Sequence, residues 1–253
     1  MPLVGYGTAG LGPGTKEAVA AALRTGYRLL DSAQAREWYR EDLVGEALAE
    51  SGVPREEVFL TSKLHPRHLG KETTLRQFEE SLKDLKTSYL DLFLLHYPKC
   101  WGNLCEQEPE GTWQESWGAL EQLHAEGRVR ALGVSNFGVE ELWELVNIAR
   151  VPPAVVQTHS DPFRQNREVQ EFCKAQNIQF QAYSSLGSQW LGQTRGANPV
   201  MHNAAIREVA IAHGRSPAQV VLRWALDAGQ AVIPRSANPA RITENAELTG
   251  FEL

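Results

Sequence analysis

Leu90-Asp91-Leu92-Phe93-Leu94-Leu95-His96 is a near-continuous apolar run that closes on an ionisable side chain. It lacks the regular polar-apolar alternation of a half-solvated strand, so it reads as a strand buried on both faces. Working outward, similar runs recur along the chain: Pro2 to Gly7, Tyr27 to Asp31 and Val58 to Ser62 before it, and Val129 to Ser135, Ala154 to Thr158, Gln179 to Ser184 and Ala231 to Pro234 after it. Stretches of helical period follow them, as in Val19 with Leu23, Phe78 with Leu82 and Leu85, Leu120 with Leu123, and Val220 with Trp224. Ser216 before Pro217 and Asn238 before Pro239 read as helix caps followed by first-turn prolines, while Gly26, Gly52, Gly127 and Gly229 stand where helices should stop. The repeated βα rhythm predicts an α/β chain of the (β/α)8 TIM-barrel kind, with a parallel eight-stranded barrel inside a ring of helices. A length of 253 residues suits one such barrel domain over 1–253.

A doubly wound sheet is the competing reading, because Gly5-Tyr6-Gly7-Thr8-Ala9-Gly10 spells G-x-G-x-x-G and Asp31 follows where a ribose-binding acid would stand. That motif needs a helix to begin at its third glycine, so that the helix N-terminus faces the pyrophosphate. Here Leu11-Gly12-Pro13-Gly14 intervenes and delays the helix to about Thr15. The barrel reading therefore prevails.

Composition narrows the function classes. A formal charge of −6, with Lys and Arg dispersed, provides no basic footprint for nucleic acid. No run of apolar residues is long enough to span a bilayer, and MPLVGYGTAG does not read as a signal peptide, so a cytoplasmic protein with no membrane partner is expected. A monomer acting on a small molecule is expected too. Of the three cysteines, Cys100 and Cys105 share a loop and could pair, but the reading takes Cys100, Cys105 and Cys173 as reduced spectators.

In a barrel, catalytic groups sit at the C-terminal strand ends, so the polar residues closing each run carry the information. They are Asp31, Lys63 in LTSKLHP, His96, Ser135-Asn136 in GVSNF, Gln157, and Tyr183 in AYSSLG. Singly, Asp31 could cap a helix, Lys63 could be a solvated loop charge and His96 a satisfied core histidine. Convergence at one barrel mouth is what favours chemistry. Apart from His159, His96 is the only strand-end histidine in this reading, which supports no metal site.

These residues resemble the aldo-keto reductase superfamily. The similar segments are GYRLLDSA with a following Tyr, LTSKL, DLFLLHYP, EGRVRALGVSNF, AYSSLG and IPRSANPARITEN, in the family's order across almost the whole chain. The resemblance implies NADPH bound without a Rossmann domain, aldehyde or ketone reduction, and a catalytic set of Asp31, Tyr39, Lys63 and His96. The chemistry is coherent. Hydride attack leaves charge on the carbonyl oxygen, and a phenol such as Tyr39 can protonate it; a nearby Lys63 ammonium, held by Asp31, should lower the phenol's pKa, and His96 should orient the oxygen. The resemblance further assigns Ser135, Asn136 and Gln157 to the nicotinamide carboxamide and Tyr183 to the nicotinamide face. It assigns Arg235, Ser236 and Arg241 to the 2′-phosphate, and Asn245 and Glu244 to the adenosine.

The chain also departs from the family pattern. The family's Tyr usually lies five residues after its Asp, where this chain has Arg36; Tyr39 is eight residues on, and anchoring on Val44-Gly45 would select Trp38. Both termini read as shortened, without the family's initial hairpin, extra helix and long substrate loop, so a more exposed pocket of broad specificity is expected. Strand six reads Gln157-Thr158-His159-Ser160-Asp161-Pro162 in place of the usual Gln-x-Glu-x-His-Pro, which suggests drift or a compensating His159-Asp161 pair. The segment from Lys99 to Trp113 should wall the substrate pocket through Trp101, and Trp190 either forms another wall or packs in the core. The alternative function is a catalytically impaired NADPH-binding regulatory or interaction module on the same fold.

Overall fold

The computed structural model describes residues 1–102, 104–193 and 198–253. Its strands are β1 (Tyr6–Gly7), β2 (Leu29–Asp31), β3 (Phe59–Leu64), β4 (Leu90–Leu95), β5 (Val129–Ser135), β6 (Val155–His159), β7 (Gln179–Tyr183) and β8 (Ala231–Val232). They form one parallel sheet in sequence order. The sheet closes on itself: Val4 bridges Val232, and Gly5 N–H donates to the Val232 carbonyl at 2.8 Å. The structure is thus the expected (β/α)8 barrel. Strand ends moved for identifiable reasons. Pro234 has no N–H to donate, which limits β8 at its C-terminal end, and β7 stops at Tyr183 because Ser184 turns to φ 55°.

Around the barrel run α1 (Thr15–Thr25), α2 (Glu41–Glu50), α3 (Lys71–Asp84), α4 (Trp113–Ala125), α5 (Val139–Ile148) and α6 (Arg167–Ala175). Between β7 and β8 lie α7 (Pro199–His202), α8 (Ala204–His213) and α9 (Pro217–Asp227), and α10 (Pro239–Ala246) follows β8. Ser216 caps α9 through a capping box and Asn238 caps α10, as their sequence positions imply. Helix α1 begins at Thr15, so no helix N-terminus stands at Gly10 and the dinucleotide fingerprint is coincidental.

Two faces of the sheet are filled differently. Leu30, Leu60, Phe93, Leu95, Val134, Val156 and Ala182 point outward into the main core beneath the helices. Leu92, Leu94 and Val155 form a separate cluster with Phe59 and Ala131 inside the barrel. Close approach constrains some positions: a Cβ on Gly133 would lie 2.4 Å from the Val155 carbonyl oxygen, so only glycine fits there. Among the described residues, no helix is long and apolar enough to cross a membrane.

The cysteine expectation is corrected. Cys100 and Cys105 are joined as a disulfide, with Cα atoms 5.8 Å apart, within the span such a bond requires. The loop doubles back between them, with Leu104 N–H donating to the Trp101 carbonyl, a local geometry that cysteine counting cannot reveal. Cys173 is free and buried, and burial pushes its thiol up to about 12. In denaturant without reductant, one thiol per chain should react with a chromogenic disulfide reagent, rising to three after reduction. Three reactive thiols before reduction would contradict the pairing.

Candidate active site

The alternation of side chains along a strand builds the site. In β4, Leu92 and Leu94 face the barrel interior, so His96, two residues on, faces inward at the mouth. The same parity turns Asp31 inward from β2, Lys63 from β3, Ser135 from β5, Gln157 from β6 and Tyr183 from β7, while their neighbours Leu30, Leu64, Val134, Val156 and Ala182 enter the outer core.

Lys63 is fully buried and its Nζ donates to Asp31 Oδ1 at 2.6 Å and to the Ser32 carbonyl at 2.8 Å. Asp31 Oδ2 accepts from Gln157 Nε2 at 2.7 Å, so both carboxylate oxygens are satisfied. Lys63 Nζ lies 5.0 Å from the centroid of the Tyr39 ring, and the Tyr39 and His96 rings meet edge to face with centroids 6.0 Å apart. The loop after β2 delivers Tyr39 by winding a turn in which the N–H groups of Trp38 and Tyr39 both donate to the Ala35 carbonyl. Arg36 is instead exposed and paired with Asp84, and Trp38 is half-exposed at the cavity rim.

Electrostatics differ from the sequence expectation at Tyr39. Burial raises the phenol well above its usual value, and the Asp31 carboxylate adds to the shift. Burial and the Asp31 carboxylate thus outweigh the lowering expected from the Lys63 ammonium. Burial, reinforced by Lys63 and His65, holds His96 well below the usual imidazole range, so it is neutral. Its Nδ1 is buried and has no hydrogen-bond partner among the described residues.

A cavity of about 450 Å³ opens here, within the range of small-molecule sites. Of the residues singled out from sequence, Asp31, Tyr39, His96, Trp101, Ser135, Asn136, Gln157, Tyr183 and Arg235 line it, and Lys63 lies one layer behind. Asn136, at φ 60°, accepts from the Tyr183 hydroxyl at 2.8 Å and donates to the His96 carbonyl at 3.0 Å. Ser236, Arg241, Glu244 and Asn245 lie outside the cavity lining. The Ser236 carbonyl accepts from the Tyr6 hydroxyl, the Glu244 carboxylate accepts from the Ser216 hydroxyl and ties α10 to α9, Asn245 is buried, and Arg241 is exposed. Trp190 is not a cavity wall: its indole N–H donates to Asp161 at 2.8 Å.

Sequence reasoning assigned no cavity role to several lining residues and missed one buried acid. Trp38 and Tyr97 also line the cavity, Tyr97 standing edge to face against Trp101. Glu41, at the start of α2, is buried and accepts from the hydroxyls of Ser62 and Ser81. A lone Glu opening a helix ordinarily reads as a solvated first-turn acid, so only packing exposes its role.

Comparison with known proteins decides the family: a family model for the Aldo/keto reductase family matches residues 3–253. The chain belongs to the aldo-keto reductase family. It is 40% identical over 255 residues to a glyoxal reductase of Bacillus subtilis (strain 168), covering 100% of this chain and 85% of that one. It is 37% identical over 279 residues to an NAD(P)H-dependent D-xylose reductase of Scheffersomyces stipitis, covering 100% and 87%. Among solved structures it is similar to an aldose reductase from Giardia lamblia, with TM-score 0.89 and 32% identity over 99% of this chain and 87% of that one.

As an aldo-keto reductase the chain is an oxidoreductase for carbonyl compounds, in a family that generally uses NAD(P)H. The loop after β2 leads into the buried Glu41 at the start of α2, which sets a stability signature. Burial raises the Glu41 carboxyl from its usual 4.5 to about 7, despite the hydroxyl hydrogen bonds that favour the ionised form. Between those values the unfolded chain has lost a proton that the folded chain retains, so stability falls as pH rises through this window and then levels off. Urea denaturation of Glu41→Gln should lack this component, which amounts to at most about 3 kcal/mol. A pH profile superimposable on that of the parent chain would contradict the assignment.

Proposed function

We propose that this chain reduces an aldehyde or ketone to an alcohol with a hydride from NADPH and a proton from Tyr39. The observation that carries this reading is the placement of Tyr39 and His96 side by side on one cavity wall, with the buried Lys63–Asp31 pair behind them. A binding module has no need of that grouping.

The donor set suits a nicotinamide dinucleotide. Tyr183 offers a flat face, and the Asn136 and Gln157 amides and the Ser135 hydroxyl offer partners for a carboxamide. Both protons of Gln157 Nε2 are engaged by Asp31 and Gln181, which leaves its carbonyl oxygen to accept from a ligand. Arg235 lines the cavity, and neither it nor Arg241 has an acidic partner within 4.0 Å among the described residues. Two free guanidinium forks near the start of α10 suit a phosphate, and with Ser236 they favour NADPH. Asn245 and Glu244 are assigned to the adenosine side.

When bound, the nicotinamide supplies the hydride. His96, held neutral by burial, presents an N–H to the carbonyl oxygen and orients it. Tyr39 transfers its phenolic proton to the same oxygen as charge develops there. Because burial raises the phenol, it stays protonated throughout the neutral range, while an alkoxide is basic enough to take that proton. Lys63 then stabilises the phenolate left behind, and Asp31 holds the Lys63 side chain in place. Trp101, Trp38 and Tyr97 wall the cavity with aromatic surface, which suits a neutral or apolar carbonyl substrate.

Tyr39→Phe should lower kcat with an aldehyde by about 10²- to 10⁴-fold and leave NADPH affinity nearly unchanged. In the same titrations NADPH should bind about 10- to 100-fold more tightly than NADH, the scale of one charge-assisted phosphate contact. Near-parental kcat in Tyr39→Phe, or equal affinity for the two cofactors, would refute the corresponding half of the reading.

A further inference from the structure

The parity that turns Gln157 inward from β6 also turns His159 inward, and β6 pairs His159 directly with Tyr183 of β7. His159 is buried and does not line the cavity, whereas Tyr183 does. The two rings lie near-parallel, at 27°, with centroids 5.9 Å apart. His159 Nε2 meets Asp161 Oδ2 at 2.7 Å, and the Trp190 indole N–H donates to the same oxygen at 2.8 Å. Asp161 Oδ1 accepts from the backbone N–H groups of Phe163 at 2.8 Å and Arg164 at 3.0 Å. A fully buried carboxylate with every acceptor site engaged is a rigid anchor. Although burial alone would raise it, hydrogen bonds from His159, Phe163 and Trp190 hold Asp161 below the usual carboxylate range, so it is ionised.

The anchor joins two parts of the site. Through His159 it reaches the ring of Tyr183, whose hydroxyl donates to Asn136. Through Trp190 it reaches the connection after β7, where Ser184, Ser185, Leu186, Ser188 and Gln189 line the cavity. We infer that His159 and Asp161, with Trp190, form a positioning unit that fixes the Tyr183 ring and this connection in the geometry that binds the nicotinamide. The inference rests on the reading in which Tyr183 faces that ring. None of the unit's members touches the reacting atoms. The unit restricts the rotation of Tyr183 before cofactor arrives, so that ordering is not charged against binding, and it favours presentation of one nicotinamide face.

The test compares His159→Leu, His159→Gln, Trp190→Phe and Tyr183→Leu as full-length chains. The readouts are NADPH dissociation constants by fluorescence titration, deuterium transfer to an aldehyde from NADPH labelled on either face at C4, and thermal midpoints. Loss of one immobilised contact should raise the NADPH dissociation constant about tenfold in His159→Leu and in Trp190→Phe. His159→Leu should also show label transferred from the second face. His159→Gln returns an N–H to Asp161 and should recover affinity to within about twofold, together with single-face transfer. A purely structural pair would lower the thermal midpoint of His159→Leu and leave both facial selectivity and affinity intact, which would overturn the inference. If Tyr183→Leu weakens NADPH binding while His159→Leu does not, the cofactor reading stands and the positioning unit is refuted. If Tyr183→Leu leaves NADPH binding unchanged, the reading of Tyr183 falls and the inference with it.

Discussion

An ammonium with no solvent exposure is tolerable only beside a carboxylate that is itself held in place, and the contact between Lys63 and Asp31 meets that condition. Desolvating two charges costs several kcal/mol per ion, and their attraction recovers it only when the remaining donors and acceptors are satisfied. Here the Ser32 carbonyl takes a second Lys63 proton, and Gln157 donates to the other Asp31 oxygen. Strands β2, β3 and β6 therefore all contribute to one buried polar network. Tyr39 and His96 stand over it, and burial first, then the network, sets their protonation: the Asp31 carboxylate adds to the rise of the phenol, and the Lys63 ammonium helps keep the imidazole neutral.

The same network explains why the barrel's geometry matters more than any single residue. Parallel register brings Asp31 opposite Thr61, Lys63 opposite Leu94 and Ser135 opposite Gln157, so inward-facing residues form layers. The lower layers are apolar, with Leu92, Leu94 and Val155. The polar layers follow at the C-terminal ends. A one-residue slip of β3 would send Lys63 into the outer apolar core and Leu64 into the mouth. Fold and site are thus specified by one pattern, apolar residues of both parities along the strand with a polar inward residue at its end.

That pattern made much of the molecule legible in the sequence. Apolar runs and their polar ends revealed the strands and six inward-facing residues of the candidate site, because parity is a local property of the chain. The loop after β2 was harder. Arg36, Trp38 and Tyr39 are close neighbours there, and only the turn centred on the Ala35 carbonyl separates an exposed Arg36 and a rim Trp38 from a buried Tyr39. Long-range partners were not legible at all. Glu41 reads as a helix-start acid until Ser62 and Ser81 are seen around it, and Trp190 reads equally as a wall or a core residue until Asp161 is found at its indole nitrogen. The Cys100–Cys105 pair depends on a doubled-back loop rather than on cysteine number.

The central claim is that the buried pair serves the site's chemistry rather than the stability of the fold. The direct measurement is Asp31→Asn with Lys63→Met in one chain, followed by thermal denaturation and steady-state aldehyde reduction. Replacing a buried ion pair by neutral groups of similar volume is often neutral or stabilising. The account predicts a thermal midpoint equal to or above that of the parent, with kcat reduced by about 10²- to 10³-fold, the scale of a lost electrostatic contact to developing charge. A double variant that unfolds at markedly lower temperature while its folded fraction turns over at the parental rate would contradict it.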